Sequence, residues 1–341
     1  MLKKILTVVA MVALLGSCSK KEKLYIYNWC YYTPAAVVKQ FEKEFGVRVY
    51  IDEYSSNEEM YAKLKSGGGN YDLIFPSQDY VEIMILQGML HKLDHSLLPN
   101  LANIDPEVLA RTTYDHDMSY SVPYYWGASG IIINTAKVPD YQLDWSIFAR
   151  EDLRGRMTML DDMREVIGAA LTFLGYSGNT KNPAEIEEAR KLIFEKWRPN
   201  LVKFDAEAFG KGYAQRDFWV VHGYAEIIFT EIAEDADLLR DTLFFIPPGT
   251  AYIDSMCILQ NASNAELAHK FINFIHRPEI YAQFCGEFEF YPTVNVPARE
   301  VLTTPYHYTT DNLLRSEIKY DLGEALVLYN NAWFNSIRAG L

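Results

Sequence analysis

Apolar positions recur along this 341-residue chain with two periods, and the periods alternate. Leu24, Ile26 and the tyrosines beside them alternate as a strand does, which predicts a strand over 24–28. Pro34 then opens a stretch with Val37, Val38, Phe41 and Phe45 at helical spacing and Gly46 behind them. That pattern predicts a helix begun by proline and stopped by glycine. A second strand is expected over 47–51, a second helix after Ser56, and a third strand over 73–75 halted by Pro76. The glycine-rich stretch Ser66–Asn70 follows a helix and precedes a strand. A phosphate loop needs the reverse order, so this stretch reads as a helix stop and a turn.

Regular strand–helix alternation predicts an α/β fold with mostly parallel sheets flanked by helices. In such sheets the ligand crevice lies outside the carboxyl ends of the strands. Asn28-Trp29-Cys30-Tyr31-Tyr32 and Pro76-Ser77-Gln78-Asp79-Tyr80 both stand at ends of that kind, so they are expected to face one cleft. The pattern changes near Ile131 and again across Tyr252–Leu259, which suggests crossings between two lobes. The expected division is 24–130 with 255–300 as the first lobe, and 131–254 with 301–341 as the second. Two lobes joined by several crossings make a hinged cleft.

The extreme N-terminus stands outside this fold. Lys3 and Lys4 precede an apolar run, Ile5–Leu15, that is too short to span a bilayer and fits a secretory signal. Leu15-Gly16-Ser17-Cys18 resembles the lipobox of bacterial lipoproteins. The resemblance implies a signal peptide over 1–18 with Cys18 as the lipidated residue, a polar tether over 19–23, and a periplasmic protein anchored to the membrane. An ordinary signal peptide with an incidental cysteine is the alternative.

A net charge of −13 argues against a nucleic-acid partner and suits a cationic ligand. Cys30, Cys257 and Cys285 have no metal-ligand spacing, so neither metal nor cofactor is expected. The chain carries neither a Gly-x-Ser-x-Gly elbow nor a His-Glu-x-x-His motif.

Three features could carry binding chemistry. Asp162 and Glu165 lie three apart at a helix start. They could be a capping box, two carboxylates offered to a cation, or the acid pair of a glycosidase. Asp254 sits inside the apolar run Tyr252–Met256, where an unpaired carboxylate would be costly. Aromatic residues make up 14% of the chain, and several fall at strand ends and crossings: Trp29, Tyr31, Tyr32, Tyr252 and Tyr291 among them. An aromatic face attracts an ammonium group by roughly 0.5–2 kcal/mol. Burial of each methylene adds about 0.8 kcal/mol, and carboxylates hold the charged ends. An aromatic slot with acidic ends is what a linear aliphatic polyamine requires, although sugars also stack on aromatics.

These pieces together resemble the bacterial spermidine/putrescine-binding proteins that serve ABC transporters. The resemblance runs through "YNWCYYTP", "SNEEMYAKLKSGGGNYDLIFPSQDYV", "YSVPYYWGASGIIIN", "LDDMREVIGAALTFLGYSGNT", "YIDSMCI", "INFIHRPEI" and "YPTVNVPAR". It implies a two-lobed periplasmic-binding-protein fold, a monomer that delivers putrescine or spermidine to a membrane permease, and no catalysis. It places ligand contacts at Trp29, Tyr32, Ser77, Asp162, Glu165, Asp254 and Tyr291, with Tyr252 where relatives carry tryptophan. Cys30-Tyr31 stands where relatives have Thr-Glu, so one carboxylate is lost, and Asp79 replaces a tyrosine. A family tryptophan falls near Val221-His222, and Trp219, on the same strand face, is a candidate substitute. Lys319 stands near a family glutamine. The carboxylate lost at Tyr31 and the lysine at 319 predict that putrescine binds at least as well as spermidine. The rival readings are a binding lipoprotein of the same architecture for an amino acid or sugar, a cleft hydrolase using Asp162 and Glu165, and a surface adhesin.

Overall fold

The computed structural model describes residues 21–30 and 32–339, so Cys18 and Tyr31 lie outside the described residues. Two mixed sheets form the molecule. The first has five strands in a row and a sixth paired to one of them, and the second has five.

The first sheet begins as the hydrophobic pattern suggests. β1 (Lys23–Trp29) pairs in parallel with β2 (Arg48–Tyr54) and with β3 (Leu73–Ile74). The intervening helix Ala35–Phe45 buries Val37 and Phe41 and ends at Gly46, whose φ of 70° is the left-handed conformation that glycine adopts without a Cβ penalty. The helix Asn57–Lys65 is capped by Ser56, whose side chain accepts from the Glu59 amide.

Parallel pairing stops where the chain changes lobes. β4 (Ser121–Gly127) belongs to the first sheet and β5 (Gly130–Asn134) to the second, so the first crossing takes only residues 128–129. β10 (Thr250–Ile258) returns and runs antiparallel to both β3 and β4. In the second sheet, β6 (Met157–Met159) lies parallel to β7 (Leu201–Phe204) and β8 (Val220–Gly223). There β5 is antiparallel to β8 and to β9 (Thr242–Phe245). The sheets are therefore mixed: β5, which enters the second sheet, runs against β8 and β9, and β10, which returns to the first, runs against β3 and β4.

Sheet membership also moves two expected boundaries. All of β10 from Thr250 sits in the first sheet, so the return crossing precedes residue 250 instead of following residue 254. β11 (Glu317–Ile318) pairs with Thr250 and Ala251, and Tyr308 and Leu313 pack in the first lobe's core. Leu322, Tyr329 and Trp333 pack in the second lobe's core, so the last crossing lies near 319–321 rather than at 301. Among the described residues, no helix is long and apolar enough to cross a membrane.

Candidate functional site

β1 and β3 are parallel, and β10 is antiparallel to β3, so the N-terminal half of β10 meets the carboxyl ends of β1 and β3. Asp254 is brought opposite Ser77 by an isolated antiparallel bridge. The β10–β4 register slips between Asp254 and Ser255, the kind of irregularity that re-aims a side chain. The Asp254 carboxylate, 4% exposed, accepts from Tyr32 Oη at 2.9 Å and from Ser77 Oγ at 2.6 Å. Burial pushes its pKa up to about 6, against the pull of the Ser77 and Tyr32 hydrogen bonds and of Lys319. Ser77 occupies the N-cap position of the helix Gln78–Leu86 but makes no cap with its hydroxyl. It spends that hydroxyl on Asp254 and is steadied by Asn57, which donates to Ser77 Oγ and accepts from its amide.

The other expected residues divide into those the fold gathers and those it does not. The Trp29 indole donates to the Phe75 carbonyl at 2.8 Å, two residues before Ser77, and packs against Tyr54. Asp79 lies in the first turn of the same helix as Gln78, and its Oδ1 is sealed from solvent with no partner among the described residues. Burial raises the Asp79 pKa, while Arg164 and Lys319 oppose that shift. Cys30 is exposed and adjoins Glu53 and Ser55. Tyr291 packs against Tyr306 and under Arg299, and no contact joins it to the Asp254 group among the described residues.

The second lobe supplies the opposite wall from the carboxyl ends of its own parallel strands. After β6, Asp162 caps the helix Met163–Phe173 by accepting from the Glu165 amide at 3.0 Å. Glu165 does not return the contact to complete a capping box. Its carboxylate, 1% exposed, accepts from Ser129 at 2.7 Å and Thr250 at 3.1 Å, and it pairs with the Lys319 ammonium. Both of its oxygens thus have partners within the protein. Asp79, Glu165 and Glu226 each lie in the first turn of a helix.

Three residues that sequence reasoning missed or misplaced stand at or behind this wall. Tyr224, directly after β8, sets its ring edge-on to Tyr252 at 6.1 Å. Trp219 packs beside Arg156. The strand-end argument that singled out Trp29 would have found Tyr224, since it follows Gly223 in the same way. His222 lies behind the wall; its Nε2 meets Ser129 Oγ at 2.8 Å, and burial holds its pKa down to about 3. Glu226 stands beyond Tyr224, its carboxyl pushed up to about 7 by burial. Gly127 leaves room for the slot's aromatic face, because a Cβ there would meet the Tyr252 hydroxyl at 2.5 Å. The lobes also touch outside the slot, where Phe229 stacks on His307 at 3.6 Å. Among the described residues there is no cluster of three or more metal-ligating side chains.

Comparison with known proteins agrees with this architecture. A family model described as bacterial extracellular solute-binding protein matches residues 36–309. The spermidine/putrescine-binding periplasmic protein of Salmonella typhimurium is 35% identical over 94% of this chain and 93% of its own length. A putrescine/cadaverine-binding protein of Pseudomonas aeruginosa is 34% identical over 81% of this chain and 80% of its own. Among solved structures, the TpPotD lipoprotein of Treponema pallidum superposes with a TM-score of 0.91 at 46% identity, covering 93% of this chain and 99% of that one.

Proposed function

The chain belongs to the bacterial extracellular solute-binding proteins, and we propose that within that family it captures a linear polyamine, putrescine or spermidine, and delivers it to an ABC-transporter permease. The observation that carries this reading is Asp254, a buried carboxylate oriented by Tyr32 and Ser77 beside an aromatic wall, with further carboxylates across the slot. Charge-assisted hydrogen bonds from those carboxylates hold the ammonium ends. The tyrosines cover the methylenes; four buried methylenes contribute about 3 kcal/mol. Ligand contacts to both lobes bias the hinge toward closure, and nothing in the cycle requires chemistry on the ligand. The protein acts as a monomer. Ligand contacts are assigned to Trp29, Cys30, Tyr31, Tyr32, Ser77, Asp79, Asp162, Glu165, Tyr252, Asp254 and Tyr291.

Calorimetric titration tests the reading. Putrescine is expected to bind at least as tightly as spermidine; clearly tighter spermidine would sink that preference, and heats from an amino acid or sugar alone would sink the polyamine reading.

Cys18 is proposed as a lipid anchor that holds the mature protein at the periplasmic face of the membrane. The motif argument is supported by the likeness to a solved lipoprotein. Cells producing the full chain should place it in the detergent phase of a Triton X-114 partition, and Cys18→Ser should move it to the aqueous phase. An unchanged partition would reject the anchor.

A further inference from the structure

Lys319 leaves β11 at the last crossing with its main chain fixed from several sides. Its amide donates to the Ala251 carbonyl at 3.1 Å, and its carbonyl accepts from Gln78 Nε2 at 2.7 Å. The next residue is held by the second lobe: the Tyr320 amide donates to Asn179 Oδ1 at 2.9 Å, and Arg164 donates to the Tyr320 carbonyl at 3.1 Å. The side chain therefore departs from a point that both lobes define. It is 11% exposed, its ammonium pairs with Glu165, and that ammonium lies 5.9 Å from the centre of the Tyr252 ring. A buried carboxylate and an aromatic face are the surroundings that a ligand's own ammonium would seek.

The charge balance points the same way. Burial disfavours the charged form of Lys319, but Glu165, Asp162 and Asp79 outweigh it and hold the ammonium above its ordinary range. Lys319 in turn acts on Asp254, and Arg164 is a second cation acting on Asp79. Lys319 thus neutralises one of the slot's carboxylates, a position that a ligand's ammonium would otherwise take.

We propose that Lys319 is a tethered ammonium that occupies one acidic end of the slot and restricts the ligand to a short diamine. The proposal rests on the polyamine reading above and adds the residue that sets ligand length. Spermidine must put its third ammonium against Lys319 or drive it off Glu165, whereas putrescine needs neither.

Calorimetric titration of the wild type, Lys319→Ala and Lys319→Gln with putrescine and with spermidine tests it, with a thermal melt of each protein as the folding control. In the variants, the ratio of the spermidine Kd to the putrescine Kd should fall at least fivefold. A smaller fall overturns the tethered ammonium while leaving polyamine binding in place. If the wild type binds neither amine, the polyamine reading fails. A Lys319→Ala protein that then gains either amine supports the plug, and one that gains neither overturns it as well. Lys319→Gln keeps most of the stem and a donor for Glu165, so it decides the matter if the alanine variant does not melt cooperatively. If neither variant folds, Lys319 is a structural counter-ion and the proposal falls.

Discussion

Asp254→Asn should weaken putrescine binding by roughly a hundredfold or more, and it should do so without weakening the empty protein. The affinity loss follows from removing a buried, oriented charge from a cationic ligand, a change that costs about 2–5 kcal/mol. The stability gain follows from the same burial. Asp254 carries a pKa of about 6 in the folded protein, raised from 3.8. A carboxyl whose folded pKa is raised binds its proton better folded than unfolded, so above the unfolded value its ionised form opposes folding. At pH 7.5 that opposition amounts to about 3 kcal/mol. Asparagine removes it and still fits between two hydroxyls, one of which can turn to accept. The variant should therefore melt at or above the wild-type temperature while losing the ligand.

The same titration gives binding a pH limit. Putrescine needs the ionised carboxylate, so wild-type affinity should fall as pH drops through about 6 in the empty protein, by up to about tenfold per unit. In Asp254→Asn that step should vanish. A variant that keeps wild-type affinity, or a pH profile that survives the substitution, would remove Asp254 from the ligand's contacts.

Much of this site can be read in the amino-acid order, and the parts that cannot have identifiable causes. Asp254 is legible as a carboxylate that must find partners, because an apolar strand offers it none. Which partners it finds is not legible. Tyr32 and Ser77 reach it only because β10 runs antiparallel to β3 and slips register at Asp254–Ser255. β3 and β11 are two residues long, too short for periodicity to report direction or pairing. The helices around β1–β3 are legible down to their caps, since Ser56 and Gly46 act locally. The lobe boundaries are not, because they depend on which sheet recruits a strand: β10 reads the same in either lobe. Ser129 carries no sequence signal at all. It matters because the first crossing is two residues long and delivers its hydroxyl to Glu165.

Glu165→Gln is the change expected to damage the empty protein most. The three partners of Glu165 come one from each passage between the lobes: Ser129 from the first, Thr250 at the end of the second, and Lys319 from the third. One carboxylate on the helix Met163–Phe173 thus ties together every crossing, and that helix packs directly on the second, where a Cβ at Gly168 would meet Thr250 at 2.5 Å. Glutamine keeps the shape but leaves the Lys319 ammonium buried against a neutral amide. Breaking one side of a buried ion pair costs about 3–5 kcal/mol. Asp162 and Asp79 also act on Lys319 and retain part of the attraction, so the lower end of that range is expected, a fall in melting temperature of roughly 4–5 °C. Adding Lys319→Gln to Glu165→Gln should restore most of the loss, because the uncompensated charge goes with it. That recovery separates an ion pair from a merely packed glutamate: if the double variant melts as low as Glu165→Gln alone, the destabilisation comes from the Ser129 and Thr250 hydrogen bonds and the charge is incidental. If recovery is seen, the attraction that seats Lys319 in the slot is the same one that gathers the three crossings. A ligand that displaces Lys319 would then loosen the hinge it must close, a cost that putrescine avoids and spermidine does not.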